Sequence, residues 1–169
     1  MQDFYFKYAV NDTYMAVFYQ GDEQHVTVPS SYYGKPVSIL YDNLFQSHAE
    51  IASVTLPDTL SDIGGFVFDG CTGLKEIVLP DHITVLWQYA FVRSSFTSLH
   101  LPQDLKSLYP YTFKECRDLE VMYCNASLKE ISRTAFSGCT ALKEIHLSRS
   151  TRFDPQMLQD CPAAEIIYY

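Results

Sequence analysis

Positive charge is scarce in this chain: 12 Lys and Arg stand against 20 Asp and Glu among 169 residues, a formal net charge of −8. A surface of that sign repels phosphate, so binding nucleic acid through counterion release is disfavoured and is not expected. Long hydrophobic runs are missing as well. No apolar stretch approaches the roughly 18 to 20 residues of a spanning helix, so membrane insertion is not expected. The start Met1-Gln2-Asp3 has no basic segment ahead of an apolar run, so no leader is expected within the chain itself. Cysteine is sparse and odd in number, 5 in all with no CxxC pair, which suggests neither a zinc knuckle nor a fully paired disulfide framework. GxSxG, P-loop, GxGxxG, HExxH and EF-hand patterns are all absent; Gly64-Gly65 and Gly70 fall in bends rather than between a strand and a long helix. No catalytic residue, cofactor or metal is therefore expected.

The abundant residues are apolar, 47% of the chain, and they recur. Val54-Thr55-Leu56-Pro57 returns as Ile77-Val78-Leu79-Pro80 and as Leu99-His100-Leu101-Pro102, at spacings of 23 and 22 residues. Weaker copies stand at Val26-Thr27-Val28-Pro29, Met122-Tyr123-Cys124, Ile145-His146-Leu147 and Ile167-Tyr168-Tyr169. Between them the order is kept too: Leu60, Ile63, Phe68, Cys71 and Leu74 reappear as Leu105, Leu108, Phe113, Cys116 and Leu119, then as Leu128, Ile131, Phe136, Cys139 and Leu142. Six apolar columns across four units are filled at all 24 positions. Random filling would achieve this about once in a hundred million trials.

These residues resemble the BspA-type leucine-rich repeats, whose pattern reads LxxIxxxAFxxCxxLxxIxLP. The chain shows it from Leu60-Ser61-Asp62-Ile63 through Phe68 and Cys71 to Ile77-Val78-Leu79-Pro80, and from Leu128-Lys129-Glu130-Ile131 through Ala135-Phe136 and Cys139 to Leu147. The resemblance covers about residues 26 to 169. It implies a curved solenoid, a cell-surface or secreted setting, and adhesion or binding of host proteins or glycans; none of its motif residues is catalytic.

The residues alone lead to the same architecture. Ile77 and Leu79 alternate with Glu76 and Val78 at period two, which places one pair inward and the other outward on a short strand. Repeating units in one direction make those strands parallel, and the return path stacks its apolar columns rung on rung. The expected fold is thus an α/β-type leucine-rich-repeat solenoid, a right-handed coil with one short parallel strand per rung and short helical or 3-10 turns between. Phe45, Phe68, Phe91, Phe113 and Phe136 form its aromatic spine, with Leu158 as a smaller last member. Two β-rich runs around Asn11-Asp12 make an N-terminal hairpin. The expected division is a hairpin cap over residues 1–25 and a solenoid of about six units over 26–169, with 30–36 a surface loop.

Candidate chemistry is thin. His100 and His146 share an outward column but stand two rungs, about 10 Å, apart with Tyr123 between them, too far to share a zinc ion. Cys71, Cys116, Cys139 and Cys161 fall in one column, with His48 and Ser94 in its other rungs, as small buried residues at a bend that bond a neighbouring rung's backbone; Cys124 is core. Asp58, Asp62, Asp69, Asp81 and Asp104 recur beside turns, where aspartate satisfies backbone donors.

What remains is the outward strand face, which turns aromatic toward the C-terminal half. Glu76, Val78, His100, Val121, Tyr123, Glu144, His146 and Tyr168 are its candidate ligand-contacting residues, since aromatic side chains among polar neighbours compose interface centres. Its area is on the order of 500 Å², below the roughly 800 Å² per partner of a standard interface. An extended peptide, a glycan or a second copy suits that size. The reading is a noncatalytic scaffold that binds a protein or peptide. The alternative is an assembly module that dimerises through Glu165, Ile166, Ile167, Tyr168 and Tyr169, an open strand edge.

Overall fold

The computed structural model describes residues 3–169. Its strands in chain order are β1 (Asp3–Tyr8), β2 (Tyr14–Gln20), β3 (His25–Thr27), β4 (Ser31–Tyr32), β5 (Lys35–Leu40), β6 (Ser53–Thr55), β7 (Asp62–Ile63), β8 (Val85–Leu86), β9 (Ser98–His100), β10 (Ser107–Leu108), β11 (Val121–Tyr123), β12 (Glu130–Ile131), β13 (Glu144–Leu147), β14 (Arg152–Phe153) and β15 (Glu165–Tyr168). They belong to a leucine-rich-repeat coil in which strands of successive rungs pair in parallel within two ladders, each broken once. The helical turns expected between rungs are absent except for one 3-10 segment, Pro155–Leu158, among the described residues. In their place lies a second line of strands, β5-β7-β8 and β10-β12-β14, of two residues each apart from the six-residue β5. Coil and turn residues supply the rest of each rung. The chain is a β-solenoid rather than an α/β one.

The spine forms as the phenylalanine spacing demands. Successive rings of Phe45, Phe68, Phe91, Phe113 and Phe136 stack at 5.5, 5.1, 5.4 and 5.7 Å between centroids, every one of these side chains fully buried. At the next rung Leu158 is only part-buried, and Met157 takes the buried place. Beside the spine the cysteine column does what its position suggests: Cys71, Cys116, Cys139 and Cys161 donate S–H to the carbonyls of Phe45, Phe91, Phe113 and Phe136, and Ser94 donates its hydroxyl to Phe68. Each bond ties one rung to the rung before it.

The hairpin of β1 and β2 turns on Asn11 and Asp12, both at positive φ (59° and 61°), the backbone that a primed turn requires. β2 continues in parallel onto β5, and the rings of Phe4 and Tyr19 lie 6.1 and 5.2 Å from that of Phe45. Residues 30–36 are not a loop but a second hairpin, β4 against β5, turning on Tyr33 and Gly34. Gly34 supplies the φ of 75° that permits it.

Two further features carry no sequence signal of their own. Phe66, Tyr89 and Tyr111 adopt left-handed backbone at φ of 59°, 64° and 61°, a conformation that costs bulky residues about 1 kcal/mol each. Their rings stack at 4.8 and 5.1 Å, which offsets that cost. Asp69, expected to serve backbone donors at a turn, instead holds side chains: it accepts from Arg93 Nε and Nη2 at 3.0 and 2.7 Å and from Gln46 Nε2 at 3.0 Å. Its side chain is 4% exposed, so the guanidinium is what keeps the buried carboxylate solvated.

Candidate functional site

The outward strand face is interrupted. β3 pairs with β6, and β9, β11, β13 and β15 pair in sequence, but 76–79 belongs to neither ladder. The expectation of a strand in every rung fails here. Ile77 and Leu79 are nonetheless buried and Val78 is 84% exposed. Period-two alternation reports which side chains enter the core, not whether the backbone is paired, and so it survives without the ladder. The rung that follows is one residue shorter and carries Phe96 where its neighbours carry leucine, with the Phe96 ring edge-on to Phe91 and Phe113. Clefts of about 440 and 410 Å³ open on either side of 76–79, toward β6 and toward β9.

Beyond the break, His100, Tyr123 and His146 form a stacked column of rings, with centroids 4.2 and 4.7 Å apart. Tyr123 thus separates the two imidazoles as their register requires. His146 Nε2 lies 2.8 Å from Glu144 Oε2, and Val121 borders the column half-buried. This group, His100, Val121, Tyr123, Glu144 and His146, is brought together; Glu76 and Val78 stand apart on the unpaired segment. Tyr168 does not join the column. β15 pairs so that Ile167 faces His146 and Tyr168 faces Leu147. The bend from Cys161 into β15 is one residue shorter than the corresponding bend after Cys139, and a one-residue slip exchanges the two faces of a strand. Tyr168 lies instead beneath Arg149, 5.0 Å from guanidinium to ring, and the Tyr169 hydroxyl donates to Cys124 O at 2.7 Å.

None of the thiols is chemically poised. Burial pushes Cys71, Cys116 and Cys124 up to about 12 and Cys161 to about 11, and raises Cys139 as well. The thiolate needed for nucleophilic attack is therefore not formed at neutral pH.

Sequence reasoning overlooked one apolar cleft entirely. It measures about 550 Å³, lies along β5, β7 and β8, and is lined by Tyr41, Asp42, Asp62, Gly64, Gly65 and Trp87 among others. The available signal was the sole tryptophan of the chain standing next to Leu86 in a repeat column. Among the described residues, no helix is long and apolar enough to cross a membrane.

Comparison with known proteins agrees with this architecture. The family model for the BspA type leucine rich repeat region matches in 6 copies over residues 38–165. No curated protein matches the chain. A leucine rich repeat protein of T. pallidum superposes with a TM-score of 0.81 at 25% identity, covering 98% of this chain and 82% of that one. A leucine rich cell surface protein from Faecalibacterium prausnitzii has a TM-score of 0.67 at 23% identity, covering 99% of this chain and 54% of its own length. The pneumococcal vaccine antigen PcpA also reaches 0.67, at 17% identity, with 94% of this chain and 45% of that chain covered. The two latter likenesses are likenesses of fold. With its repeat matched over most of its length, the chain belongs to the BspA-type leucine-rich repeat family.

Proposed function

We propose that the chain is a noncatalytic recognition scaffold that binds an extended segment of a partner protein on its outward strand face, between 76–79 and the ring column of His100, Tyr123 and His146. Leucine-rich repeat proteins are in general scaffolds for protein interaction. The observation that carries the reading is the break in the ladder. Among the described residues, the backbone of 76–79 and the facing edge of β9 have no strand partner on the sides that meet at the cleft of about 410 Å³. Unpaired strand edges accept an added strand through main-chain hydrogen bonds, while neighbouring side chains select the sequence. His100 borders that cleft and begins the ring column. A cell-surface or secreted setting, with a host extracellular protein as partner, belongs to the same proposal and rests on family likeness.

The test uses a partner captured by the intact chain. The double variant Tyr123→Ala/His146→Ala and the single variant Val78→Pro, which removes a backbone donor at an exposed position, are each expected to weaken binding at least about tenfold. A partner held by both variants as tightly as by the parent chain would mean that this face is not the binding surface.

A second reading is favoured by the exposure of Ile167 and Tyr168, 37% and 42%, on β15, whose one strand neighbour among the described residues is β13. Self-association there predicts a dimer by light scattering that is lost on deleting 165–169. A parent chain that stays monomeric at high concentration refutes it.

A further inference from the structure

The cleft along β5, β7 and β8 has a shape that repetition alone would not produce. Leu40, Ile63 and Leu86 are register partners on three consecutive rungs, so the residues that follow them, Tyr41, Gly64 and Trp87, form one column. The backbone confirms the alignment: Gly64 N–H donates to Leu40 O at 2.8 Å and Trp87 N–H to Ile63 O at 2.9 Å. Tyr41 and Trp87 are each 49% exposed, and both line the cleft. Between them the column lacks a side chain. With rungs about 4.8 Å apart, the two aromatic residues stand about 9.6 Å from each other. A flat group in van der Waals contact with both needs about 7 to 8 Å.

Glycine is required at the middle rung. A Cβ on Gly64 would meet Leu40 O at 2.8 Å and Asp42 Oδ1 at 2.6 Å, the first of these a backbone atom. The slot therefore stays open by construction of the backbone, not by a side chain that could swing across it. On the far side Trp87 is supported by Tyr109, with ring centroids 5.9 Å apart.

The charge of the slot is one-sided. Asp42 and Asp62 both line it, and among the described residues no Lys or Arg does. Asp42 uses Oδ1 to accept from Gly65 N–H at 2.8 Å, and Asp62 uses Oδ2 to accept from the Ser61 hydroxyl at 2.5 Å. The remaining oxygen of each carboxylate has no partner among the described residues, and neither carboxylate is ion-paired. Elsewhere in the chain lysine and arginine do find carboxylates, as Lys143 finds Glu120 at 2.8 Å and Arg93 finds Asp69 at 2.7 Å.

We propose that this slot is a binding site for a guanidinium group, the arginine side chain of a partner polypeptide inserted between Tyr41 and Trp87 and paired with Asp42 and Asp62. Guanidinium is the side-chain group that is both flat and permanently cationic. It stacks on aromatic faces, and its rigid fork suits a carboxylate. A lysine ammonium carries the charge without the plane; a neutral aromatic ring has the plane without the charge. The site lies on the second line of strands and does not rest on the strand-face reading, so the two stand or fall separately.

Because Trp87 is the only tryptophan, its fluorescence reports this slot without labelling. The intact chain is titrated with three capped tripeptides, Gly-X-Gly, where X is arginine, lysine or citrulline, the last a neutral flat relative of arginine. Saturable perturbation of Trp87 by the arginine peptide is expected, with the lysine and citrulline peptides each at least about tenfold weaker. Tyr41→Ala and Asp62→Asn, checked for unchanged melting temperature, are each expected to weaken the arginine peptide similarly while leaving Trp87 as reporter. Citrulline binding as tightly as arginine would show a neutral slot, and lysine doing so would show a point-charge site without stacking; either overturns the proposal. So does the absence of saturation at millimolar peptide, an arginine affinity indifferent to both substitutions, or saturation by a neutral oligosaccharide in its place.

Discussion

Replacing Phe113 by Ala probes the rung-on-rung core where it is most enclosed. The Phe113 ring is fully buried, lies between Phe91 and Phe136 at 5.4 and 5.7 Å, and meets Phe96 edge-on at 6.4 Å. Truncation removes the transfer energy of the ring and leaves a cavity, about 3 to 5 kcal/mol for a buried phenylalanine. Collapse to fill that cavity is opposed on both sides, because each neighbouring ring is held by its own stack and each rung by a cysteine-to-carbonyl bond. The expected loss is therefore near the middle of that range, about 4 kcal/mol. With a urea slope of about 2 kcal/mol/M for a chain of this size, the midpoint falls by about 2 M. Phe113→Leu keeps much of the volume and forfeits chiefly the ring contacts, so it should cost about half as much. Urea titrations followed in parallel by Trp87 fluorescence and by far-UV circular dichroism measure both effects. A rung made independent of its neighbours would also separate the two transitions, since solenoid stability is a sum of nearest-neighbour terms. A loss below about 1 kcal/mol for Phe113→Ala would refute the stacked-core reasoning.

Arg93→Ala should cost about 3 kcal/mol, because it leaves the Asp69 carboxylate buried with only the Gln46 amide for support, and the double variant Arg93→Ala/Asp69→Asn should recover part of the loss in the same urea assay. Alkali should destabilise the fold. The thiols of Cys71, Cys116 and Cys124 have an ordinary value of 9.0 and titrate at about 12 when folded. The stability they confer is thus complete below pH 9 and declines as pH rises toward 12, where the unfolded chain releases protons that the folded chain retains. Melting temperatures from pH 8 to 10.5 should fall progressively, and a variant with Cys116→Ala should fall less steeply; identical slopes would contradict the linkage. Phe4→Ala removes a ring that touches both Tyr19 and Phe45, and should lower stability by about 1 to 2 kcal/mol if the hairpin shields the first rung, as measured by thermal melting. No change would mean that β1 is dispensable to the array.

How much of this could be read from the chain varied with the kind of information involved. The stacking of Phe45 through Phe136, the cysteine column and the spacing of His100, Tyr123 and His146 all follow from identity recurring at a fixed interval. A coil with one residue type per column can satisfy that recurrence only by placing like over like. The hairpin at Asn11-Asp12 was legible for a different reason, the tolerance of those residues for positive φ. What escaped were the exceptions. Phe66, Tyr89 and Tyr111 sit in left-handed backbone with no glycine to announce it, because stacking between rungs offsets a local cost. Residues 30–36 looked like an insertion, yet β4 pairs back on the first residues of β5 through the turn at Tyr33 and Gly34, both at positive φ.

Position in the repeat was thus a property of the sequence, since it depends only on intervals between apolar residues. Pairing was not. Whether 76–79 joins its neighbours, whether Ile167 or Tyr168 faces His146, and whether the missing side chain at Gly64 becomes a slot between Tyr41 and Trp87 all turn on separations between rungs. Those separations are set by the packing of whole layers and by one-residue differences in bend length, quantities that exist only after the coil has closed on itself.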